Sequence, residues 1–227
     1  MNIIRLIAVP LALVAVIAVA CGDDGAKGTP EAGSPSASVT AGASPTSAAG
    51  GALSAGTHTS ESFATAVSLT VGEGWKLVVD APDIFVVERT PQPGSTFGYI
   101  AFLYPPEVYD PTETELLLEP PPADFVTWFN DHRLLTIVDT QPVTLGGIEG
   151  TAFEITAGNT SGFVSDFPLF KQSDGDYELS YRDHIRMDVV DRGGKELLVT
   201  YGSDKPDNFD AFEPLATEVL NTVEFGE

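Results

Sequence analysis

Few side chains in this 227-residue sequence are suited to covalent or proton-transfer chemistry. It contains one cysteine, Cys21, and three histidines, His58, His132 and His184. Ser-His-Asp catalysis requires a base held beside an activated serine. The nearest approach to a G-x-S-x-G nucleophile elbow, residues 158–162, has its serine at the wrong spacing. We therefore predict no catalytic residue, and a hydrolase with an unrecognised site is the least favoured alternative.

Acidic residues dominate the charge of the chain. It has 33 Asp and Glu against 11 Lys and Arg, a formal net charge of −22. At this density, close pairs such as Asp174/Asp176 and Asp188/Asp191 arise by chance, although paired carboxylates also serve acid–base chemistry. The negative field repels phosphate backbones, so we predict no nucleic-acid binding. With one cysteine and scattered histidines, we predict no metal site and no cofactor. A salty habitat or a need for solubility also produces such acidity.

One basic group departs from this background. Arg182, His184 and Arg186 alternate along one predicted strand and therefore project from the same face. They are predicted as a binding patch for an anion or an acidic group of a partner. The alternative is that they pair with carboxylates of neighbouring strands.

The N-terminus indicates where the protein works. Arg5 precedes an uncharged apolar run, Leu6–Ala20, which is too short for a transmembrane helix and is typical of a secretory signal peptide. Ala18-Val19-Ala20-Cys21 resembles the lipobox of bacterial lipoproteins. That resemblance implies cleavage after Ala20, a diacylglyceryl group on the Cys21 sulfur and acylation, such as by palmitate, of the new amine. The expected location is the extracytoplasmic face of a bacterial cell membrane.

Residues 21–60 form a predicted flexible linker. Apart from seven residues, the segment that follows Cys21 consists of Gly, Ala, Ser, Thr and Pro. Such a composition buries too little apolar surface to offset the entropy of ordering. We therefore expect a chain that begins near Ser60 to keep its melting temperature.

Residues 61–227 are predicted to fold as one domain without disulfides. Ile84–Val87 and Phe97–Tyr104 are apolar on both faces, as in strands covered on both sides. Gly146-Gly147 indicates a two-residue hairpin. Helical spacing predicts helices at 123–133 and 209–223, whereas 105–122 is expected to be an exposed loop and 157–176 irregular. A three-residue loop, 192–194, is predicted to set Asp191 opposite Lys195.

Three segments of this domain resemble PsbP-like domains. They are Val71–Trp75, with its Gly-x-Gly-Trp turn, Val143–Gly150, and Phe209–Phe225. The superfamily includes bacterial envelope lipoproteins, the photosystem II extrinsic protein and a Ran-binding nuclear-import factor. The resemblance implies an α+β fold, an antiparallel sheet with helices on both faces in an α/β/α sandwich. Neither photosystem binding nor Ran binding carries over, because no positions match.

These observations favour a membrane-tethered, non-catalytic binding module over an enzyme. Its ligand is expected to be an unknown protein or small molecule. The second hypothesis is a scaffolding or assembly factor of the cell envelope that acts through its acidic surface.

The lipobox resemblance yields the first testable prediction. The mature N-terminus should carry a lipid-modified Cys21, and Cys21→Ser should fail to mature by the lipoprotein route because the acylated sulfur is gone. Mass spectrometry of the mature N-terminal peptide measures both, and an unmodified Cys21 in the wild type would contradict the prediction.

Overall fold

The computed structural model describes residues 50–89, 98–112, 116–157, 166–180, 183–203 and 206–226. Antiparallel strands dominate it, with 54% strand and 14% helix. The predicted α/β/α sandwich with helices on both faces was therefore wrong, because the described residues form only two α-helices and strands make up most of each covering layer. The predicted signal peptide, Cys21, most of the linker and Arg182 lie outside the described residues. Among the residues described, no helix is long and apolar enough to cross a membrane.

The regular elements are mostly strands of four to eleven residues, with a few shorter ones. In chain order the strands are β1 (Gly56–Thr59), β2 (Val67–Val71), β3 (Trp75–Ala81), β4 (Ile84–Arg89), β5 (Gly98–Leu103), β6 (Glu107–Tyr109), β7 (Leu118–Glu119), β8 (Leu135–Leu145), β9 (Ile148–Ala157), β10 (Phe167–Gln172), β11 (Gly175–Leu179), β12 (His184–Asp191), β13 (Glu196–Gly202) and β14 (Glu224–Phe225). The helices are α1 (Phe125–Asp131) and α2 (Phe209–Leu220), and a short 3-10 helix, Pro206–Asn208, precedes α2.

A seven-stranded antiparallel sheet of order β3-β4-β5-β13-β12-β9-β8 forms the centre of the domain. Strands β4, β5 and β13 are apolar on both sides, as the sequence predicted for 84–87 and 97–104. In β5, Ile100 and Phe102 enter one core cluster, whereas Ala101 and Leu103 enter the other. Because neither face can stay in water, two covering layers are required.

The covering layers consist largely of small sheets. One face is covered by β1-β2-β14 with α2, and the other by β11-β10-β6-β7 with α1. Three of these strands, β6, β7 and β10, come from segments that were predicted to be an exposed loop or irregular. The pattern of β10 was unreadable because its register shifts between Pro168 and Phe170, so that Phe167, Leu169 and Phe170 are all buried. This irregularity is the physical reason why the sequence did not predict β10 as a strand of the covering layer.

The two predicted helices do form. Asp124 caps α1 by accepting a hydrogen bond from the Thr127 backbone N–H, and the predicted stripe of Phe125, Trp128 and Phe129 is buried. Helix α2 packs closely on the central sheet. A Cβ at Gly98 would lie 2.5 Å from the Phe212 ring, so a side chain on β5 would push the helix away.

Two hairpins of the central sheet, β8–β9 and β12–β13, differ in how well they were predicted. Gly146 and Gly147 form the expected two-residue turn, with φ of 54° and 81°. The β12–β13 register was predicted wrongly, because Asp191 lies opposite Glu196. The Arg192 N–H donates to the Lys195 carbonyl at 2.9 Å. The two facing acids have separate partners, since Asp191 accepts from the Gly194 N–H and Glu196 accepts from the Phe125 N–H.

Residues 50–60 belong to the folded domain, which begins earlier than the predicted boundary at 61. We call them the N-terminal strap. The Gly50 N–H donates to the Leu77 carbonyl at 2.7 Å, and the Leu53 N–H donates to the Trp75 carbonyl at 2.8 Å. Strand β1 pairs with β2, and the Leu53 side chain is buried. Backbone hydrogen bonds do not depend on side-chain type, so a segment poor in apolar residues can still pair with a sheet.

Neither edge strand of the central sheet, β3 or β8, is open to regular pairing with a further strand. The strap pairs with β3 at one edge. At the other edge, β8 shifts register between Val138 and Gln141, with Asp139 at a φ of 51°, and Pro142 follows. A bulge and a proline disfavour pairing with a further strand.

Because the strap is part of the fold, we no longer expect a chain that begins near Ser60 to keep its melting temperature. A chain that begins at Glu61 should lose at least about 2 kcal/mol of unfolding free energy relative to one that begins at Gly50, since Leu53 leaves the core and β1 is lost. Denaturant unfolding of the two chains measures the difference. Equal midpoints would show that the strap contributes nothing to stability.

Candidate functional site

The predicted binding patch lies on β12, at the surface that faces α2. Arg182 is outside the described residues. The predicted alternation of this strand is confirmed, because Ile185, Met187 and Val189 are buried in the core with α1, whereas His184, Arg186 and Asp188 project from the other face.

His184 is held by an acid and by an aromatic ring. Its Nε2 lies 2.7 Å from Oε2 of Glu154 on the adjacent strand β9. Its imidazole stacks on Phe209, the first residue of α2, with ring centroids 3.9 Å apart and 23° between the planes. The side chain is 26% exposed. One edge of the ring therefore reaches solvent, while its face holds the start of the helix.

Arg186 is paired with Asp188 two residues along the same strand. The Arg186 Nε donates to Asp188 Oδ1 at 3.3 Å, and the Asp188 side chain is only 5% exposed. Burial raises the pKa of Asp188 to about 6, and the Arg186 charge offsets this only in part. His184 is thus paired with a carboxylate of a neighbouring strand, which is the alternative that the sequence left open, whereas Arg186 contacts a carboxylate of its own strand.

Tyr201 connects this group to the helix. It lies opposite Arg186 on β13, and its hydroxyl donates to Glu213 of α2 at 3.1 Å. Its ring stacks on Phe209 with 7° between the planes, and burial raises the pKa of its hydroxyl well above the usual range.

These six residues are called the polar cluster below: Glu154, His184, Arg186, Asp188, Tyr201 and Glu213. The cluster holds three carboxylates and one guanidinium, so with His184 neutral an added anion meets an excess of negative charge. The arrangement ties β9, β12 and β13 to α2. Chemically it can exchange protons, but it contains no serine, threonine or cysteine nucleophile.

His132 and the two tryptophans have structural positions. His132 ends α1, as predicted, and burial lowers its pKa to about 4. It is therefore neutral, and its Nδ1 accepts a hydrogen bond from the Leu134 N–H. Trp75 and Trp128 are both buried, which confirms their assignment to the core.

The burial of His58 was not predicted from the sequence. It is buried in the strap, and its Nε2 lies 2.7 Å from the Ser54 carbonyl, whereas Nδ1 has no partner among the described residues. It lines a small cavity of about 20 Å³ with Glu61 and Asp80, room for one water molecule. The only signal was the alternation of Thr57 and Thr59 around it, in a segment whose composition predicted a linker.

The other groups that sequence analysis considered do not form a site. Asp188 and Asp191 have different partners, and Asp174 lies in the turn before β11, as expected. Within the described ranges, no three His, Cys, Asp or Glu side chains are placed to hold a metal ion.

A hollow lies beside the Gly146-Gly147 turn. It is open, with a volume of about 480 Å³, and is lined by Thr144, Gly146, Gly147, Leu220, Asn221, Val223, Glu224 and Phe225. Glu224 is its only ionisable side chain, so it has no acid–base pair.

Comparison with known proteins adds no family assignment. No protein-family model matches this sequence, and no curated protein matches it.

Asp188 makes the stability of the domain depend on pH. Between about pH 4, where an unfolded Asp titrates, and about pH 6, the folded chain holds a proton that the unfolded chain has released. The stabilising contribution of this group is therefore complete below about pH 4 and is lost as the pH rises through about 6. Relative to Asp188→Asn, the wild type should lose about 2 kcal/mol of unfolding free energy between pH 4 and pH 7.

Denaturant unfolding of both proteins at several pH values measures this difference. Burial also raises the pKa of Asp183 to about 6, but Asp183 is present in both proteins and cancels. A difference between the two proteins that stays constant over this range would contradict the assignment.

Proposed function

We propose that this chain is a lipid-anchored, non-catalytic binding module on the extracytoplasmic face of a bacterial cell membrane. The observation that carries the proposal is the position of Cys21, directly after the apolar run Leu6–Ala20 and before the polar Gly22-Asp23-Asp24. Two or more acyl chains would hold the protein stably at the bilayer. The acidic domain itself is repelled by anionic lipid, so the anchor supplies the attachment.

The state of the polar cluster supports binding rather than catalysis. A catalytic base requires a nucleophile or a substrate proton within hydrogen-bond reach. His184 instead contacts Glu154 and stacks on Phe209, and Arg186 contacts Asp188. His184 thus holds the start of α2 against the sheet, and Arg186 partly compensates the buried Asp188 carboxylate.

The tether suits a part that searches for a partner near the membrane. A flexible linkage raises the effective concentration of a membrane-bound partner without any new contact. The contact surface at Arg182, His184 and Arg186 stays a prediction, and the exposed edge of His184 is the accessible portion among its described residues.

A scaffolding factor of the cell envelope is the second proposal, because the chain carries a net charge of −22. The two proposals differ in the surface that they use. Both weaken as salt is added, because both depend on charges, but an assembly held by the acidic surface survives Arg182→Ala/Arg186→Ala, whereas binding at the basic patch does not.

The test combines co-purification with assays for turnover. Tagged, lipidated protein is isolated from membranes at low and high salt, with Cys21→Ser as the unanchored control, and is assayed on esterase, phosphatase, glycosidase and peptidase substrates. We expect a stoichiometric partner with the wild type and no turnover. Reproducible turnover that His184→Ala abolishes would refute the non-enzyme proposal, and an unchanged complex with Arg182→Ala/Arg186→Ala would remove the patch.

A further inference from the structure

Three consecutive leucines are exposed on the surface of the domain. Leu116, Leu117 and Leu118 are 61%, 50% and 42% exposed. Val138 is the only other large apolar side chain of the described residues that reaches this class of exposure. Single exposed apolar residues are common on protein surfaces, but contiguous ones mark contact sites.

The backbone holds Leu117 and Leu118 in place. The Asp110 N–H donates to the Leu117 carbonyl at 2.9 Å, and Leu118 pairs with Tyr109 of β6. Strand β6 is fixed in turn, since Val108 is buried and pairs with Phe170 of β10. Leu117 and Leu118 are thus presented at the edge of an ordered sheet, at little further cost in backbone entropy when they make a contact, and Leu116 directly precedes them.

The length of the chain before the domain identifies the surface that they meet. Between Cys21 and the first described residue, Gly50, lie 28 residues. A flexible linker of that length has a root-mean-square reach of about 30 Å. An anchored domain therefore stays within about its own diameter of the bilayer, and any face of it contacts the headgroups repeatedly.

We propose that Leu116–Leu118 insert into the boundary between lipid headgroups and acyl chains of the membrane that holds the anchor. The inference rests on the proposed anchoring at Cys21. Leucine side chains suit the depth of this boundary, about 5–10 Å. The carboxylates of Asp110 and Glu119 flank the leucines and stay among the headgroups, so zwitterionic lipid is preferred over anionic lipid.

The experiment uses the full lipidated chain in phosphatidylcholine vesicles. Acylation of Cys21, the only cysteine, leaves an introduced cysteine as the only free thiol. An environment-sensitive fluorophore is attached at Thr112→Cys, an exposed position close to the leucines that leaves all three in place, or at Val138→Cys on β8 as the matched control. Spin-labelled phosphatidylcholine then reports contact with acyl chains.

Quenching should be at least about twofold stronger at position 112 than at position 138. It should disappear when all three leucines are changed to serine, and weaken when phosphatidylglycerol is added at low salt. Protein that floats with the vesicles but is quenched equally at both positions would overturn the proposal while leaving the anchor intact. A protein partner or a second copy that covers the leucines gives that same equal quenching. Protein that does not float would overturn the anchoring as well.

Discussion

The burial of both faces of the central sheet is the constraint on which the rest of the domain depends. Strands β4, β5 and β13 have apolar side chains on both sides, so each face needs a layer that excludes water. The only cysteine precedes the domain, so packing must stabilise the fold without disulfides. The short strands and the two helices are arranged to meet this requirement, one set on each face.

The polar cluster lies at the part of the interface between α2 and the central sheet where charged and polar side chains replace apolar ones. Near β5, α2 packs directly on the sheet through Phe212, whereas near β12 and β13 its contacts are the His184 and Tyr201 rings stacked on Phe209 and the hydrogen bond from Tyr201 to Glu213. The two ion pairs of the cluster, His184–Glu154 and Arg186–Asp188, lie within the sheet and contribute little net stability, because their desolvation offsets the attraction. The first of them holds the imidazole on which Phe209 stacks. The raised pKa of Asp188 reflects this compromise, since the carboxylate is more buried than one cation can fully compensate.

The sequence predicted best where the signal was local. The apolar stripe of α1, the Gly146-Gly147 turn and the alternation of β12 each depend on a few neighbouring residues, and all three are confirmed. The covering sheets were missed because their pairing is distant in sequence, as in β6 with β10, and because the Pro168 irregularity removes the alternation of β10. For the polar cluster, the shared face of His184 and Arg186 was predictable. Their partners Glu154 and Phe209 were not, because they come from another strand and from a helix.

The strap determines where a pulling force on the N-terminal side of the domain first acts. Any force that reaches the domain from its N-terminal side acts first on Gly50–Leu53, whose hydrogen bonds to Leu77 and Trp75 run along β3. The strap is also held by the pairing of β1 with β2 and by the burial of the Leu53 and His58 side chains. Loading therefore peels or shears the strap before it reaches the central sheet. We therefore expect such a force to separate the strap from β3 while the seven strands of the central sheet stay paired.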